Sequence, residues 1–267
     1  MQGAVVTDRG YLSHQRLWRQ YLAKRAPCPV VEVEGDAVIP LELAYPQEAK
    51  RADLLRPNIV PLLPRFLRPL EEKAPKVRAR FSEPSLDLEP LEEILHLLEV
   101  DKGVKPVALP LGTEAARERL ENFLKEKLNL YADSRLSPFA DVTSGLSPYL
   151  HFGQISPVEV ALAIKEAGGR GADAFLEQLV VRRELALNFV WYNPHYESFQ
   201  GLPTWARKSL LRHRLDPRPE FYRLEDLESP RTHDPIWNMV QSQLSETGHL
   251  HIYLRQIPSQ ALPGTRA

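Results

Sequence analysis

The proline content constrains the fold of this chain more than any other feature of its sequence. There are 24 prolines among 267 residues, against 13 glycines. Proline lacks a backbone N–H and disfavours the interior of helices and central strands. We therefore expect the prolines at the ends of elements, which predicts many short helices with sharp boundaries. Between Pro57 and Pro90 they are so frequent that we predict a connector with only short helical pieces.

The hydrophobic periodicity changes along the chain. Residues 3–6 and 30–33 have the β-branched or alternating patterns of strands, and residues 13–25 between them have helical spacing. Val38 and Ile39 are candidates for a further short strand. Strand, helix, strand is the order of an α/β layer, whereas the sequence after the connector is almost wholly helical. The predicted fold class is mostly α, preceded by the remnant of an α/β domain.

Local signals predict which helix faces are buried and where some helices begin. In the helix over residues 13–25, Leu17 and Tyr21 are at helical spacing, and we expect Arg16 and Arg19 to face water. The run Ser156–Glu159 places a capping serine, a proline at the first helical position and a glutamate in the first turn. It therefore predicts a helix that begins at this point.

Composition excludes several classes of protein. The net charge is -1, from 34 Lys and Arg against 35 Asp and Glu, so no overall positive field indicates a polyanionic partner. The single Cys28 cannot form an intramolecular disulfide or a cysteine-based zinc site, and no clustered histidines predict a metal. No apolar run is long enough for a membrane span, and no signal peptide is recognisable. These features predict a cytoplasmic, metal-free protein, which we expect to be a monomer.

One stretch has the residue types of a phosphate site. Thr143, Ser144 and Ser147 place three hydroxyls around Gly145 and Leu146. Small hydroxyl side chains and free backbone N–H groups are suited to a phosphate at close range. The alternative is a capped turn between two helices, which is the commoner reason for such a sequence. Composition alone leaves both interpretations open and favours the turn.

Two further stretches have charges in positions that function could explain. Arg182, Arg183 and Glu184 interrupt an apolar helix, and they either line a cavity or form a solvated face with local ion pairs. The segment 204–218 is basic and can contact a phosphate backbone, although a solvated helix face is the commoner reason for such a pattern. Its candidate DNA-binding residues are Arg207, Lys208, Arg212 and Arg214.

Taken in order, several motifs make the chain resemble the DNA photolyase/cryptochrome family, in particular the class II cyclobutane pyrimidine dimer photolyases. The resemblance extends over about residues 3–255. The motifs that carry it lie in residues 144–156, 175–188, 192–194, 205–208 and 232–238. Their specificity comes from their shared order and spacing, since each motif alone is weak.

The resemblance implies a fold and a reaction. It implies an N-terminal α/β Rossmann-like antenna domain and a helical domain that holds FAD. Reduced FAD in this family, excited by light, passes one electron to a pyrimidine dimer in DNA, the ring bonds split and the electron returns. The protein binds and orients the cofactor and the flipped-out lesion. Damaged DNA is the expected partner.

The resemblance also assigns roles to individual positions. Thr143, Ser144 and Ser147 would hold the FAD phosphates, with Gly145 and Leu146 in the same loop. Tyr131 and Arg255 would lie near the flavin, and Trp237 would belong to the electron relay that reduces it. Arg182 and Arg183 join the basic segment as candidate DNA contacts. Gln178 stands where the family usually has a glutamate that faces the lesion, and a glutamine cannot supply the same charge.

The resemblance predicts a division of the chain. Residues 1–75 would be a partial antenna domain with its connector, 76–255 a partial FAD-binding domain, and 256–267 a tail unlike the family. We therefore expect a family fragment that lacks parts at both ends, with little photorepair by this chain alone. A cryptochrome-like flavin photoreceptor and an inactive DNA-binding remnant are the alternatives.

Overall fold

A computed structural model describes residues 3–69, 73–74, 76, 91–98, 106–217 and 220–255. The chain divides into two compact units. Residues 1–69 and 110–217 form the first unit, and residues 70–109 and 218–267 form the second. The predicted domain boundary between residues 75 and 76 stays a prediction, and the predicted tail over 256–267 lies outside the described residues.

The first unit begins with a small parallel α/β layer. Strand β1 (Val5–Asp8) pairs in parallel with β2 (Val30–Val33), and Val5 lies opposite Val30. Helix α1 (Ser13–Arg25) connects them, as the periodicity predicts. The further strand predicted at Val38 and Ile39 is wrong, because both residues are buried in a loop. Their backbone N–H groups bind a side chain of a distant helix, so they cannot serve a strand.

The predicted faces of α1 are also wrong. Leu17 and Tyr21 are 63% and 60% exposed, whereas the arginines make the interior contacts. The guanidinium of Arg16 lies 4.6 Å from the ring centre of Trp191, and Arg19 donates to the carbonyl of Gly10 at 2.7 Å. A long arginine stem covers apolar surface while its head reaches a π-face or a carbonyl. Helical spacing alone could not distinguish this arrangement from a leucine-lined face.

The predicted proline-rich connector begins instead with a continuous helix, α3 (Ala52–Phe66), which contains three prolines. Their spacing puts Pro57, Pro61 and Pro64 on one exposed side, while Leu55 and Ile59 are fully buried. The carbonyls that lose a helical donor therefore face solvent, where water can satisfy them. The backbone hydrogen bonds that the prolines remove are therefore lost on the solvent-facing side of the helix, which does not pack against the core.

The rest of the first unit is helical. Two long helices each contain a π-helical segment, Phe123–Lys127 in the first and Glu177–Arg182 in the second. The remaining elements are α2 (Leu41–Ala44), α5 (Thr113–Asn122), α6 (Leu128–Ser134), α7 (Ser147–His151), α8 (Pro157–Ala167), α9 (Gly169–Leu176), α10 (Arg183–Tyr192), a 3-10 turn (Phe199–Gly201) and α11 (Thr204–Arg212).

Sequence signals fixed several of these boundaries. The Ser156 hydroxyl accepts from the N–H of Val158 at 3.2 Å, so the predicted cap of α8 is confirmed. Helices α6 and α9 pack so closely that a Cβ on Gly171 would overlap with the carbonyl of Leu128. This close approach forms the centre of the helical body and supports the segments on either side of it.

The second unit contains three described helices, α4 (Leu91–Leu97), α12 (Leu224–Glu228) and α13 (Pro235–Thr247). Asp234 caps α13 by accepting from the N–H of Ile236 at 2.8 Å. The Asn238 side chain accepts from the N–H and the hydroxyl of Thr232 and donates to the carbonyl of Thr232, at 2.8–2.9 Å. The motif over residues 232–238 is therefore a self-contained helix start.

Candidate functional site

The hydroxyl-rich loop lies between α6 and α7. Gly145 has a φ of 65°, in the left-handed region where side chains are disfavoured. The Ser144 hydroxyl accepts from the N–H of Leu146 at 3.3 Å, and Leu146 is buried and anchors the loop to the core. Thr143 and Ser144 are half-buried, whereas Ser147 is exposed at the start of α7.

The loop borders a cleft of about 260 Å³. Its lining residues are Arg119, Asn122, Phe123, Glu126, Lys127, Thr143 and Ser144. Lys127 lies 2.6 Å from a carboxylate oxygen of Asp141, and Arg119 donates from Nε to the carbonyl of Ser144 at 3.0 Å. Two cations, the hydroxyls of Thr143 and Ser144 and the carboxylate of Glu126 thus share one concave surface.

Tyr131 lies beside this cleft in an aromatic cluster. Its ring centre is 5.7 Å from that of Phe123 and 5.3 Å from that of Phe175, both in edge-to-face geometry. Burial raises the pKa of the Tyr131 hydroxyl above its usual range, and the nearby positive charge of Arg135 offsets only part of this increase. The cluster holds the first π-helical segment against α9, and its member Phe123 lines the cleft.

The residues of the cleft fit the phosphate part of FAD. Guanidinium, ammonium and hydroxyl groups are suited to phosphate oxygens. A glycine suits this position because its φ of 65° disfavours any side chain, and the guanidinium of Arg119 occupies the space beside it. Sequence reasoning identified the loop but missed Arg119 and Lys127. They precede the loop by more than fifteen positions, and only the folded chain places them beside it.

The long helix from α9 to α10 carries the other candidate residues of the first unit. Gln178 is half-buried in its π-helical segment. Its neighbour Glu177 binds Arg56 of α3, with N–O distances of 2.6 and 3.2 Å, and also Arg182 at 3.3 Å. Arg183 is half-buried and donates to the carbonyl of Asp36, so its guanidinium is already engaged in the fold.

Glu184 fits neither interpretation of the charged stretch. It is fully buried, and its Oε1 accepts from the N–H groups of Val38 and Ile39 at 2.8 and 2.9 Å. Burial raises its pKa to about 7, although the two donors and nearby Arg183 lower it. One turn later, Asn188 binds the backbone of residues 45–49 in the same way. Both side chains attach the α/β segment to α10.

The predicted basic segment forms α11 and the turn after it. Lys208, Arg212 and Arg214 are exposed, and Arg207 is half-buried. Near the start of α11 is a second cleft, of about 310 Å³, with Arg182 and Lys50 among its lining residues. Among the six candidate DNA-contact residues, Arg183 and Arg182 contact Asp36 and Glu177 of the first unit, whereas Lys208, Arg212 and Arg214 are exposed to solvent.

The remaining candidates belong to the second unit. The indole N–H of Trp237 donates to the carbonyl of Leu227 at 3.1 Å, and the ring is half-buried between α12 and α13. Arg255 is exposed and donates to the carbonyl of Leu250 at 3.1 Å. Their roles near a flavin stay predictions.

The described residues add two negative findings. Among them, no group of three or more His, Cys, Asp or Glu side chains is placed to hold a metal ion. In the same part of the chain, no helix has both the length and the apolar character that crossing a bilayer requires.

Comparison with solved structures identifies the fold class. The chain superimposes on a bacterial class III photolyase from Agrobacterium tumefaciens with a TM-score of 0.64 and 21% identity, covering 95% of this chain and 53% of that one. It superimposes on a cryptochrome from Synechocystis sp. PCC6803 with a TM-score of 0.65 and 17% identity, covering 93% and 52%. The fold is that of photolyases and cryptochromes, mostly helical with a small α/β part.

Sequence relatives identify the family more closely, although no family model matches the chain. It is 40% identical over 255 residues to the deoxyribodipyrimidine photo-lyase of Methanothermobacter thermautotrophicus, covering 94% of this chain and 56% of that protein. It is 36% identical over 262 residues to that of Potorous tridactylus, covering 95% and 48%. The chain belongs to the photolyase/cryptochrome family and spans about half the length of these curated relatives. The class II assignment stays a prediction.

Proposed function

We propose that this chain takes part in light-driven repair of cyclobutane pyrimidine dimers in DNA, with FAD as its cofactor. The observation that carries the proposal is the hydroxyl-rich loop beside a cleft lined by Arg119 and Lys127, in a chain related to deoxyribodipyrimidine photo-lyases over most of its length. When bound and reduced, FAD would supply one electron to the dimer under light and receive it back after the ring bonds split.

Different residues would make different contacts with the bound FAD. Thr143 and Ser144 would donate hydroxyl hydrogen bonds to the FAD phosphates, and Gly145 would keep the approach open. Tyr131 would support the cofactor side of the cleft through its aromatic cluster. Ser147, Trp237 and Arg255 are assigned to the cofactor and its relay by the family pattern alone.

DNA would be bound by the exposed cations of α11 together with Arg182. Lysine and arginine neutralise backbone phosphates and release counterions, which gives affinity without sequence preference. Gln178 would contact the lesion through its amide, which can both donate and accept hydrogen bonds but carries no charge.

The test is an illumination assay on the 267-residue chain with added FAD and a chemical reductant. Loss of dimers from an oligonucleotide under light, with none in the dark, supports repair even at a low rate. Flavin binding without loss of dimers favours a photoreceptor, the second candidate, which the fold of the Synechocystis cryptochrome supports. A chain that binds no flavin contradicts both functions.

A further inference from the structure

We propose that Arg119 is a phosphate-binding and positioning residue of the cofactor cleft, acting on the diphosphate of FAD. The inference rests on the proposed function, because it takes FAD as the occupant of that cleft. It adds a residue that the family pattern did not assign, from a helix that precedes the hydroxyl-rich loop.

The first argument is the contact between Arg119 and the loop. Its Nε donates to the carbonyl of Ser144 at 3.0 Å, and its guanidinium lies directly against Gly145. A guanidinium has five N–H donors in a planar fork, and this bond uses one of them. The side chain is thus held in place by the loop while its remaining donors stay available at the cleft.

The second argument is charge. Within the part of the chain that the structure describes, no carboxylate forms an ion pair with Arg119, although its helical neighbour Arg117 binds Glu159 at 2.7 Å. Lys127, the other cation of the cleft, is paired with Asp141. Of the two cations of this cleft, Arg119 is therefore the one without an ion-pair partner among the described residues, although Glu126 also lines the cleft. A diphosphate bound beside Thr143 and Ser144 would supply the missing anion.

The third argument is the geometry of diphosphate recognition. Arginine binds phosphate oxygens in a bidentate manner, which fixes orientation as well as charge. Because Arg119 holds the Ser144 carbonyl, an anion bound to its fork would also order the loop that carries the hydroxyls. The residue would couple cofactor binding to the conformation of the loop.

The experiment compares the Arg119→Gln, Arg119→Lys and Arg117→Gln variants of the full chain by titration with FAD, riboflavin and inorganic pyrophosphate. We expect Arg119→Gln to weaken FAD binding by about tenfold to a hundredfold, the range for charge-assisted hydrogen bonds. Pyrophosphate should compete with FAD on the wild-type protein and lose most of this competition in Arg119→Gln. Riboflavin lacks the phosphates, so its affinity should change less than about twofold.

The controls separate binding from support of the loop. Arg117→Gln removes a cation two positions away and should leave all three affinities unchanged, and Arg119→Lys should recover part of the FAD affinity but not the bidentate contact. An equal loss of FAD and riboflavin affinity in Arg119→Gln would show a merely structural role and overturn the inference. If the wild type binds FAD and Arg119→Gln binds it equally well, the inference alone fails. If the wild type binds no FAD, the proposed function fails and the inference with it.

Discussion

Two buried polar side chains determine how the α/β segment attaches to the helical body. Glu184 and Asn188 lie one turn apart on α10 and bind five backbone groups in the loops on either side of α2, between residues 38 and 49. A buried polar group without a partner costs more than a typical hydrogen bond gains, so these contacts specify one arrangement of the loop. In the charged stretch at the start of α10, Arg182 and Arg183 stay at least partly accessible while Glu184 is enclosed.

The raised pKa of Glu184 predicts a stability that depends on pH. Burial moves the pKa of this carboxyl from 4.5 to about 7, so the folded state binds a proton that the unfolded state releases. Its contribution to the free energy of unfolding is complete below pH 4.5 and is lost as the pH rises through about 7. We expect Glu184→Gln to flatten the decline in melting temperature between these values, because the amide keeps the acceptor and cannot ionise.

The matched comparison for this prediction is Glu184→Leu, which removes the acceptor. Compared with Glu184→Gln, it should lower the free energy of unfolding by about 1–3 kcal/mol at every pH, because neither variant ionises here and the N–H groups of Val38 and Ile39 lose their partner only in the leucine variant. A decline in melting temperature as steep in Glu184→Gln as in the wild type would show that another group titrates in this range.

At the scale of elements, close approaches and exposed faces decide what each helix does. Helices α6 and α9 meet at Gly171, and this contact supports the cleft on one side of the first unit. Helix α11 has no buried residue and presents its cations to solvent. The packing of α6 against α9 contributes to stability, whereas the exposed surface of α11 is accessible to a binding partner.

We expect Gly171→Ala to lower the free energy of unfolding by about 1–3 kcal/mol, because the added methyl group overlaps with the Leu128 carbonyl and forces the backbones apart. Chemical denaturation measures this change. The matched control is Gly35→Ala, where the nearest atom to a Cβ is Asp8 Oδ1 at 3.6 Å, so the change should stay within about 0.5 kcal/mol. An equal effect of both variants would contradict the close packing of α6 and α9.

The basic helix predicts salt-sensitive binding to DNA. Replacing Arg207, Lys208, Arg212 and Arg214 together with alanine should reduce the affinity for duplex DNA at least tenfold at low salt. The dependence of the binding constant on salt concentration should also become shallower, by the equivalent of about three or four phosphate contacts. Fluorescence anisotropy at several salt concentrations measures both quantities.

A control variant makes the same change in net charge on other helices. It replaces four exposed cations with alanine, namely Lys24, Lys125, Lys165 and Arg170. If this variant loses as much affinity as the α11 variant, binding depends on total charge and the proposed DNA surface is wrong.

At the scale of the whole molecule, cofactor binding should stabilise the chain. A ligand that binds only the folded state at a hundred times its dissociation constant adds about 2.7 kcal/mol to the free energy of unfolding. We therefore expect the melting temperature to rise with FAD concentration and to rise less with riboflavin, which leaves the phosphate cleft empty. Melting curves that FAD does not shift at any concentration would contradict the cofactor assignment.

The sequence by itself determined the family, the mostly helical class, the strand–helix–strand order and the hydroxyl-rich loop. These follow from local periodicity, from caps such as Ser156 and from motif order, all of which act over short stretches of chain. Only the tertiary structure decided which charges are enclosed and which helices tolerate proline. The Glu184 carboxylate is buried because a loop about 145 positions earlier supplies its donors. Helix α3 tolerates three prolines because Leu55 and Ile59 pack into the core and leave the prolines on the solvent side. Arg119 contacts Ser144, which lies 25 positions later in the chain. Such partners are set by chain topology and burial, and no local pattern encodes them.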